Sequence, residues 1–349
     1  MSSEIKGEFT KREILSQPET WQHTIEQLRR DWSDKLPQLS NYDHIIFTGC
    51  GSTYYLSIWA ARLLQKERGI SAQALPSSEL WYATENWVKP HKKILLVAIS
   101  RSGETTETLH AVESFLKTNC GDVVAITCYP ESKLAKAAPL VIATPDGREK
   151  SIAQTRSFTN MMWVVLMIIN GEIPEVLGKS IRLISQDFLD AYSETAYQIG
   201  RDPSIMRFFF LGNGPLYGLT SEVMLKIKEM SLSYSEAYHF LEFRHGPMSM
   251  VNEQSLIVGF MSNWAHAFET AVLKDMKKLG TLILGIGLDN SKDSRDIFNY
   301  HFSINQQISA NWIYPLYLPL LQLIAFERAL SKGLNPDKPE NLTAVVELI

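Results

Sequence analysis

The sequence has few cysteines, little net charge and no long apolar run, and each of these absences excludes a class of protein. Cys50, Cys120 and Cys128 are odd in number and show no C-x-x-C spacing, which argues against a disulfide framework and against a cysteine metal site. A formal net charge of −4 provides no basic surface for nucleic acid or an anionic membrane. The longest apolar stretches, such as residues 161–169, are too short to span a membrane, and the N-terminus has no signal core. We therefore expect a cytoplasmic protein with a small-molecule partner.

The pattern that is present predicts an α/β protein of two domains. At 349 residues the chain exceeds the usual size of one domain. Helical spacing of apolar residues within 9–32 predicts a leader helix. Beyond it, apolar runs at 43–48, 94–99, 122–127 and 140–144 alternate with helical segments, as in a parallel sheet covered by helices.

The second half of the chain repeats the first. Three residues around the first strand and its glycine turn recur at a constant offset of 163 positions. They are Gly49, Gly51 and Tyr54, which correspond to Gly212, Gly214 and Tyr217. Two copies of one α/β unit explain the length. We expect a leader at 1–34, a first domain at 35–175, a connecting helix at 176–200 and a second domain at 201–349.

Hydroxyl side chains gather at residues 100–105, where the strand at 94–99 gives way to a helix. The first N–H groups of a helix have no internal partners and carry the positive end of its dipole, so hydroxyls there, with Gly103 beside them, can hold a phosphate. For this motif alone, a simple helix cap completed by Glu104 is the alternative. The second copy lacks these hydroxyls after Ser262, so we expect the first copy to bind the phosphate.

The second copy carries acid–base candidates instead. Glu222, Lys226 and Glu229 lie at i, i+4 and i+7 and share one helical face. A solvated ion pair is the commoner use of this spacing. His245 ends a predicted loop of charged and aromatic residues at 236–247, and a histidine there can be a general acid or base or can occupy a surface turn.

In combination, these motifs resemble the sugar isomerase (SIS) domain superfamily in its double-domain form. The chain is similar to the isomerase half of glucosamine-6-phosphate synthase and to AgaS-type amino-sugar-phosphate isomerases and deaminases over residues 12 to 349. The motifs that carry the resemblance are at 49–53, 100–105, 153–159, 226–229 and 242–247. The resemblance implies two tandem SIS domains, each a flavodoxin-like parallel sheet between two helical layers.

The resemblance also implies roles for particular residues. Those expected to contact the sugar phosphate are Gly51, Ser52, Thr53, Ser100, Arg101, Ser102, Thr105, Ile152 and Gln154. Glu229 would move a proton between C1 and C2, a step that needs a pKa near the working pH. Lys226 and Glu222 would contact the open chain or orient Glu229. His245 would open the sugar ring from the neighbouring subunit, which implies at least a homodimer.

Two positions depart from the pattern of the family. The Schiff-base lysine of the synthase is replaced by Thr343, and Lys338 or Lys332 would need another path to the site. Gln154 replaces a serine expected near the sugar hydroxyls. Substrate identity is thereby left open.

The function expected from the resemblance is that of a phosphosugar aldose–ketose isomerase or deaminase acting on glucosamine or galactosamine 6-phosphate. A fructosamine-6-phosphate deglycase is a close alternative, and a sugar-phosphate sensor is one from another class. No cysteine follows Met1, so we expect no glutaminase activity. The eight histidines form no zinc motif, and we expect no metal and no cofactor.

Overall fold

The computed structural model describes residues 5–32, 35–287, 296–304, 308 and 310–343, which form two compact units. The described residues of Leu15–Ile184 and Thr343–Ile349 make up the first unit, and those of Met1–Ile14 and Ser185–Leu342 make up the second. Residues 1–4 of the predicted leader and 344–349 of the predicted second domain lie outside the described residues. No helix in the described ranges is long and apolar enough to cross a membrane.

The first unit is built on one parallel sheet. Its strands are β1 (His44–Gly49), β2 (Ala72–Pro76), β3 (Ile94–Ile99), β4 (Gly121–Thr127) and β5 (Leu140–Ala143). Their order is β2-β1-β3-β4-β5, so the chain leaves β1 and β3 toward opposite edges. The loops after β1 and β3 therefore flank the switch point of the sheet, where open α/β sheets bind ligands.

Helices flank this sheet. In chain order they are α2 (Gln17–Trp32), α3 (Ser52–Arg68), α4 (Ser77–Tyr82), α5 (Thr84–Trp87), α6 (Thr106–Thr118), α7 (Lys133–Ala137) and α8 (Arg156–Asn170). The helix that precedes them, α1 (Glu8–Leu15), belongs to the second unit up to Ile14. Every residue of α8 from Ser157 to Ile169 is buried, which explains why its sequence is apolar on all faces. Trp21 of α2 donates to Thr159 Oγ1 of α8 at 2.9 Å and packs its ring on Trp163.

The second unit repeats this architecture. Its strands are β6 (Arg207–Leu211), β7 (Tyr234–Tyr238), β8 (Ser255–Phe260), β9 (Leu282–Ile286) and β10 (Tyr300–Phe302), in the order β10-β9-β8-β6-β7. The remaining helices are α9 (Glu175–Arg201), α10 (Leu216–Ser231), α11 (Phe240–Phe243), α12 (His266–Lys277) and α13 (Ala310–Ser331). Ile45 pairs with Ala72, and Phe208 pairs with Ser235, so both strand partners recur at the offset of 163. The predicted fold of two tandem parallel α/β units is confirmed.

Three local predictions differ from the structure. The predicted loop at 236–247 contains the edge strand β7 and the helix α11, because a half-exposed strand bearing Glu236 has no apolar run to reveal it. The single leader helix is two helices, and Pro18, which has no N–H to donate, lies in the first turn of the second. The sequence predicts a helix from Leu56 to Lys66, but α3 begins directly after Gly51. The domain boundaries stay a prediction.

Candidate active site

The loop after β3 brings the hydroxyls of residues 100–105 together. Ser100 Oγ accepts from Gly103 N at 3.1 Å and lies 3.2 Å from Thr105 Oγ1, and Ser102 Oγ accepts from Glu104 N at 3.1 Å. Thr105 precedes α6 but its side chain makes no capping hydrogen bond. The Glu104 carboxylate turns instead to Lys133, accepting from its N at 2.9 Å and pairing with its Nζ at 3.0 Å. The simple capping box considered from the sequence is therefore absent from this loop.

Gly103 allows this loop to pack against the start of α7. Its φ is +65°, and a Cβ added there would lie 2.1 Å from Ser132 Oγ. Real side chains do not approach so closely, and a left-handed φ is itself unfavourable for residues other than glycine. The shape of the loop thus depends on this glycine.

The loop after β1 faces the same switch point. Gly51 has a φ of +55°, and α3 starts at the next residue. Ser52 and Thr53 are buried, and the Thr53 hydroxyl folds back on the turn, 2.9 Å from both the N and the O of Cys50. The Thr53 hydroxyl therefore stabilises the turn, and this role does not depend on a bound ligand.

Cys50 joins the two loops that flank the switch point. Its Sγ lies 3.7 Å from Thr108 Oγ1 of α6, and Thr108 in turn lies 3.1 Å from Ser77 Oγ. Burial raises the pKa of the Cys50 thiol. A raised pKa favours the neutral thiol, which is less nucleophilic than the thiolate.

Arg101, which the resemblance assigns to the sugar phosphate, makes its contacts within the chain. Its guanidinium is buried, donates to the Ile152 carbonyl at 2.9 Å and lies 3.4 Å from Glu149 Oε2. Glu149 is fully buried and accepts from Thr155 N and Thr155 Oγ1, both at 2.6 Å, and from Ser157 Oγ. Arg101 and Glu149 together hold the segment that carries Ile152 against the loop after β3.

A cavity of about 390 Å³ lies between the loop after β3, the segment at 129–132 and the segment at 149–151. Arg101, Ser102, Tyr129, Ser132 and Ser151 are among its lining residues. Its mixture of hydroxyls, charges and one aromatic ring suits a polar ligand.

Sequence reasoning missed two acidic residues of this region, Glu149 and Glu107. Glu107 Oε2 in the first turn of α6 and Gln154 Oε1 are buried and have no hydrogen-bond partner within the described ranges. Buried acceptors are normally paired, so both oxygens can receive a donor from a ligand. Glu107 follows the hydroxyl cluster directly in sequence, and that adjacency was the available signal.

In the second unit, α10 carries a buried group of three charges. The Lys226 ammonium lies 3.4 Å from Glu222 Oε1 and hydrogen-bonds to Glu229 Oε2. The side chains of Lys226 and Glu222 are each 1% exposed, and that of Glu229 is 19% exposed. Charges removed from water are costly even when paired, so this is not the solvated surface pair considered from the sequence.

His245 lies on the surface of the second unit, directly after α11. Its N donates to the Glu242 carbonyl at 3.0 Å, and Gly246 beyond it has a φ of +130°. The neighbouring Arg244 pairs with Asp275 of α12, and Lys278 lies 3.2 Å from the same carboxylate. Hydrogen bonds from Lys278 and Arg244 hold the pKa of Asp275 below its ordinary value. The segment that presents His245 is thus tied to α12.

The possible replacements for the Schiff-base lysine are engaged elsewhere or exposed. Lys332 Nζ donates to the Ser231 carbonyl at 2.5 Å and to the Leu232 carbonyl at 3.1 Å, at the C-terminal end of α10. Burial, with a smaller effect of Arg328, lowers the Lys332 pKa. Lys338 and Thr343 are exposed.

A family model described as the SIS domain matches residues 38–171, a stretch that contains β1 to β5 and both loops of the switch point. The chain contains a SIS domain over these residues. Its two sheets have the fold of two tandem SIS domains.

Several known proteins are similar to this chain over nearly its whole length. The glutamine–fructose-6-phosphate aminotransferase (isomerizing) of Sulfolobus acidocaldarius is 31% identical over 356 residues, covering 99% of this chain and 57% of that protein. A Clostridium novyi NT structure, provisionally named a tagatose-6-phosphate ketose/aldose isomerase, matches with a TM-score of 0.89 and 27% identity, covering 99% and 95% of the two chains. The Thermotoga maritima glucosamine-6-phosphate deaminase matches with a TM-score of 0.78 and 26% identity, covering 97% and 99%.

The chain spans only 57% of the length of the first curated relatives it matches. The family that the chain has in common with these relatives is that of the phosphosugar isomerases.

Proposed function

We propose that this protein interconverts a phosphorylated aldose and ketose by acid–base chemistry, with an amino sugar 6-phosphate of the glucosamine or galactosamine type as substrate. The observation that carries the proposal is the buried Glu222, Lys226 and Glu229 group on α10. A chain that only needed a stable helix would gain nothing from three charges in place of apolar side chains. A proton shuttle needs a carboxylate partly shielded from water, with a cation beside it to tune its pKa.

Glu229 is the proposed base. Its carboxylate removes the proton from the carbon next to the carbonyl, the electron pair forms an enediol or enolamine, and the proton returns to the adjacent carbon. Lys226 balances the charge of the carboxylate, and Glu222 holds Lys226. For a deamination, water then adds to the imine formed at C2 and ammonia leaves, so the products are a ketose phosphate and ammonia.

The first unit is the proposed phosphate-binding part. Ser52, Ser100, Ser102 and Thr105 supply hydroxyl donors beside the start of a helix, where an anion is favoured. Arg101 acts in this proposal by positioning the Ile152 segment, because its guanidinium is occupied by Ile152 and Glu149.

His245 is the proposed ring-opening residue, supplied to the partner subunit of a homodimer. Its exposure on a segment tied to α12 supports this assignment, because an imidazole that serves another copy must project from the surface of its own. Thr343 and the engagement of Lys332 at the end of α10 support a reaction without a lysine imine.

A fructosamine-6-phosphate deglycase is the second candidate, and the same acid–base residues would serve it. A sugar-phosphate sensor is disfavoured by the buried charged group, which a binding module does not need.

An NMR time course of the purified protein with glucosamine 6-phosphate, and separately with galactosamine 6-phosphate, tests the proposal. We expect a ketose phosphate and ammonia from one of the sugars, and a loss of about 10²- to 10⁴-fold in rate for Glu229→Gln with binding retained. Lys228→Gln, a change of an exposed residue on the same helix, is the matched control and should retain full rate.

Other results of the same series would redirect the assignment. Turnover of fructosamine 6-phosphate alone would establish the deglycase. Binding of all three sugars without turnover would establish the sensor. Glutamine added to the reaction is expected to remain unhydrolysed, and its hydrolysis would contradict the expectation of no glutaminase activity.

A further inference from the structure

The switch point of the second unit is occupied by a carboxylate of the chain itself. Glu269 of α12 is fully buried. Its Oε2 accepts from Ser262 N at 2.7 Å, and its Oε1 accepts from Ser262 Oγ at 2.8 Å and from Asn213 Nδ2 at 2.9 Å. Ser262 follows β8 and Asn213 follows β6, so one carboxylate bridges the two loops that flank the switch point.

Glu269 stands where the first unit has Thr108. Leu95 of the first sheet corresponds to Leu256 of the second, because Ile45 pairs with Leu95 as Phe208 pairs with Leu256. Thr108 follows Leu95 by the same number of residues as Glu269 follows Leu256. Their partners also correspond, because Cys50 and Asn213 are related by the offset of 163. The weak Cys50–Thr108 contact of 3.7 Å is thus replaced by the Asn213–Glu269 hydrogen bond.

All three groups around Glu269 are donors, which is the environment of an ionised carboxylate. Burial raises the Glu269 pKa, while the hydrogen bonds from Ser262 and Asn213 act in the opposite direction. A backbone N–H, a hydroxyl and an amide N–H at the edge of a parallel sheet also form the kind of donor set that holds a phosphate.

The donors at this edge of the second sheet are taken by Glu269. A phosphate could bind to Ser262 and Asn213 only after the carboxylate had moved away from them. The small cavity beside Ser262, Asn263 and Trp264 holds about 30 Å³, room for one water molecule.

We propose that Glu269 is a built-in anion, which takes in the second unit the position that a phosphate takes in the first and so closes that switch point to ligands. A carboxylate that serves only to cap α12 is the competing explanation, and the two differ in one respect. If Glu269 stands in for a phosphate, then removing its side chain leaves a site that an external anion can fill. The part of this inference that concerns the first unit rests on the proposed function.

The test is thermal unfolding and equilibrium dialysis with inorganic phosphate. It uses Ser102→Ala to weaken the proposed first site, with Glu269→Ala or Glu269→Gln added in that background. We expect Glu269→Ala to lower Tm in the absence of phosphate. Added phosphate should restore Tm in proportion to the logarithm of its concentration and bind at one further equivalent per chain. Glu269→Gln fills the space and should show neither effect.

An unchanged Tm response of Glu269→Ala to phosphate, without the further equivalent, would overturn the proposal. A measurement on the unmodified protein provides a second test if the alanine variant does not fold. The proposal would also be overturned if the unmodified protein bound phosphate and this binding were lost in Ser262→Ala but kept in Ser102→Ala. If the unmodified protein binds no phosphate while Glu269→Ala gains a site, the proposed function fails and this inference stands.

Discussion

The two units share one backbone design and differ in where they place polar groups. Gly51 and Gly214 have φ values of +55° and +54°, and the helices α3 and α10 follow each turn. At the offset of 163, the buried Trp59 and Leu63 of α3 correspond to Glu222 and Lys226 of α10. Burial at these helical positions is therefore set by the architecture. The proposed function explains why α10 carries charges at positions that the architecture buries.

Replacing Lys226 with leucine, the residue at the corresponding position 63 of the first unit, gives the largest expected effect. Lys226→Leu leaves two carboxylates without their cation, so we expect a loss of about 3–5 kcal/mol in the free energy of unfolding and of at least about 10²-fold in kcat. Urea unfolding and the NMR assay measure the two quantities.

The double variant Glu222→Gln with Lys226→Leu sharpens this comparison. It removes the buried charge pair, so stability should return toward that of the unmodified protein while activity does not. Restored activity would mean that the charges serve only the helix.

Glu149→Gln tests whether the first unit depends on its own buried charge. The change removes the ion pair with Arg101 but keeps an oxygen for Thr155, so we expect a loss of about 3 kcal/mol in stability and a rise in KM with little change in kcat. Glu131→Gln, which affects an exposed pair with Arg148, is the control and should change stability by less than about 1 kcal/mol. A fall in kcat at unchanged KM would contradict a positioning role.

The parallel sheets, the duplication and the buried strands could be predicted from the sequence, because apolar runs and glycine turns are local signals. It did not reveal β2, β7 and β10, edge strands whose sequences contain no comparable apolar run, whereas the edge strand β5 has such a run and was predicted. Nor could it show that Arg101 turns toward Glu149, or that Glu269 lies against Ser262. These contacts join residues that are distant along the chain, and they follow from packing rather than from periodicity.

We expect Ser102→Ala in the first unit to weaken binding and Ser262→Ala in the second unit to lower stability. Ser102→Ala should weaken sugar-phosphate binding about tenfold through loss of a hydroxyl to an anion, with stability nearly unchanged. Ser262→Ala should leave binding unchanged and lower stability by about 1 kcal/mol, because Glu269 loses a donor. Calorimetry and urea unfolding of both variants measure these effects. Equal effects of the two changes on binding would refute the division of roles.

Asp275→Asn has a smaller effect that depends on pH. The lowered pKa of Asp275 means that its pairing with Arg244 and Lys278 stabilises the fold above the ordinary value of 3.8 and is lost as the pH falls through the lowered value. Because the groups are more than a third exposed, the difference should stay below about 1 kcal/mol. The Tm difference between the two proteins should be present at pH 7 and become smaller as the pH falls below 3.8. A difference that persists in acid would exclude the ion pair as its cause.

Chelation gives the smallest expected effect. Activity measured after dialysis against EDTA should equal that of the untreated protein, because the proposed chemistry uses only side chains. Activity that is lost and then restored by a divalent cation would contradict this expectation.

The paired glycines have a consequence for the history of the chain. Since Gly49 and Gly212 each have the following helix within 3 Å of where a side chain would begin, neither copy of the duplicated segment can exchange them freely. Cys50 and Asn213, or Thr108 and Glu269, are under no such backbone constraint and were able to diverge. The turns therefore keep what both backbones require, and the division of labour proposed for the halves lies in the side chains that the turns carry.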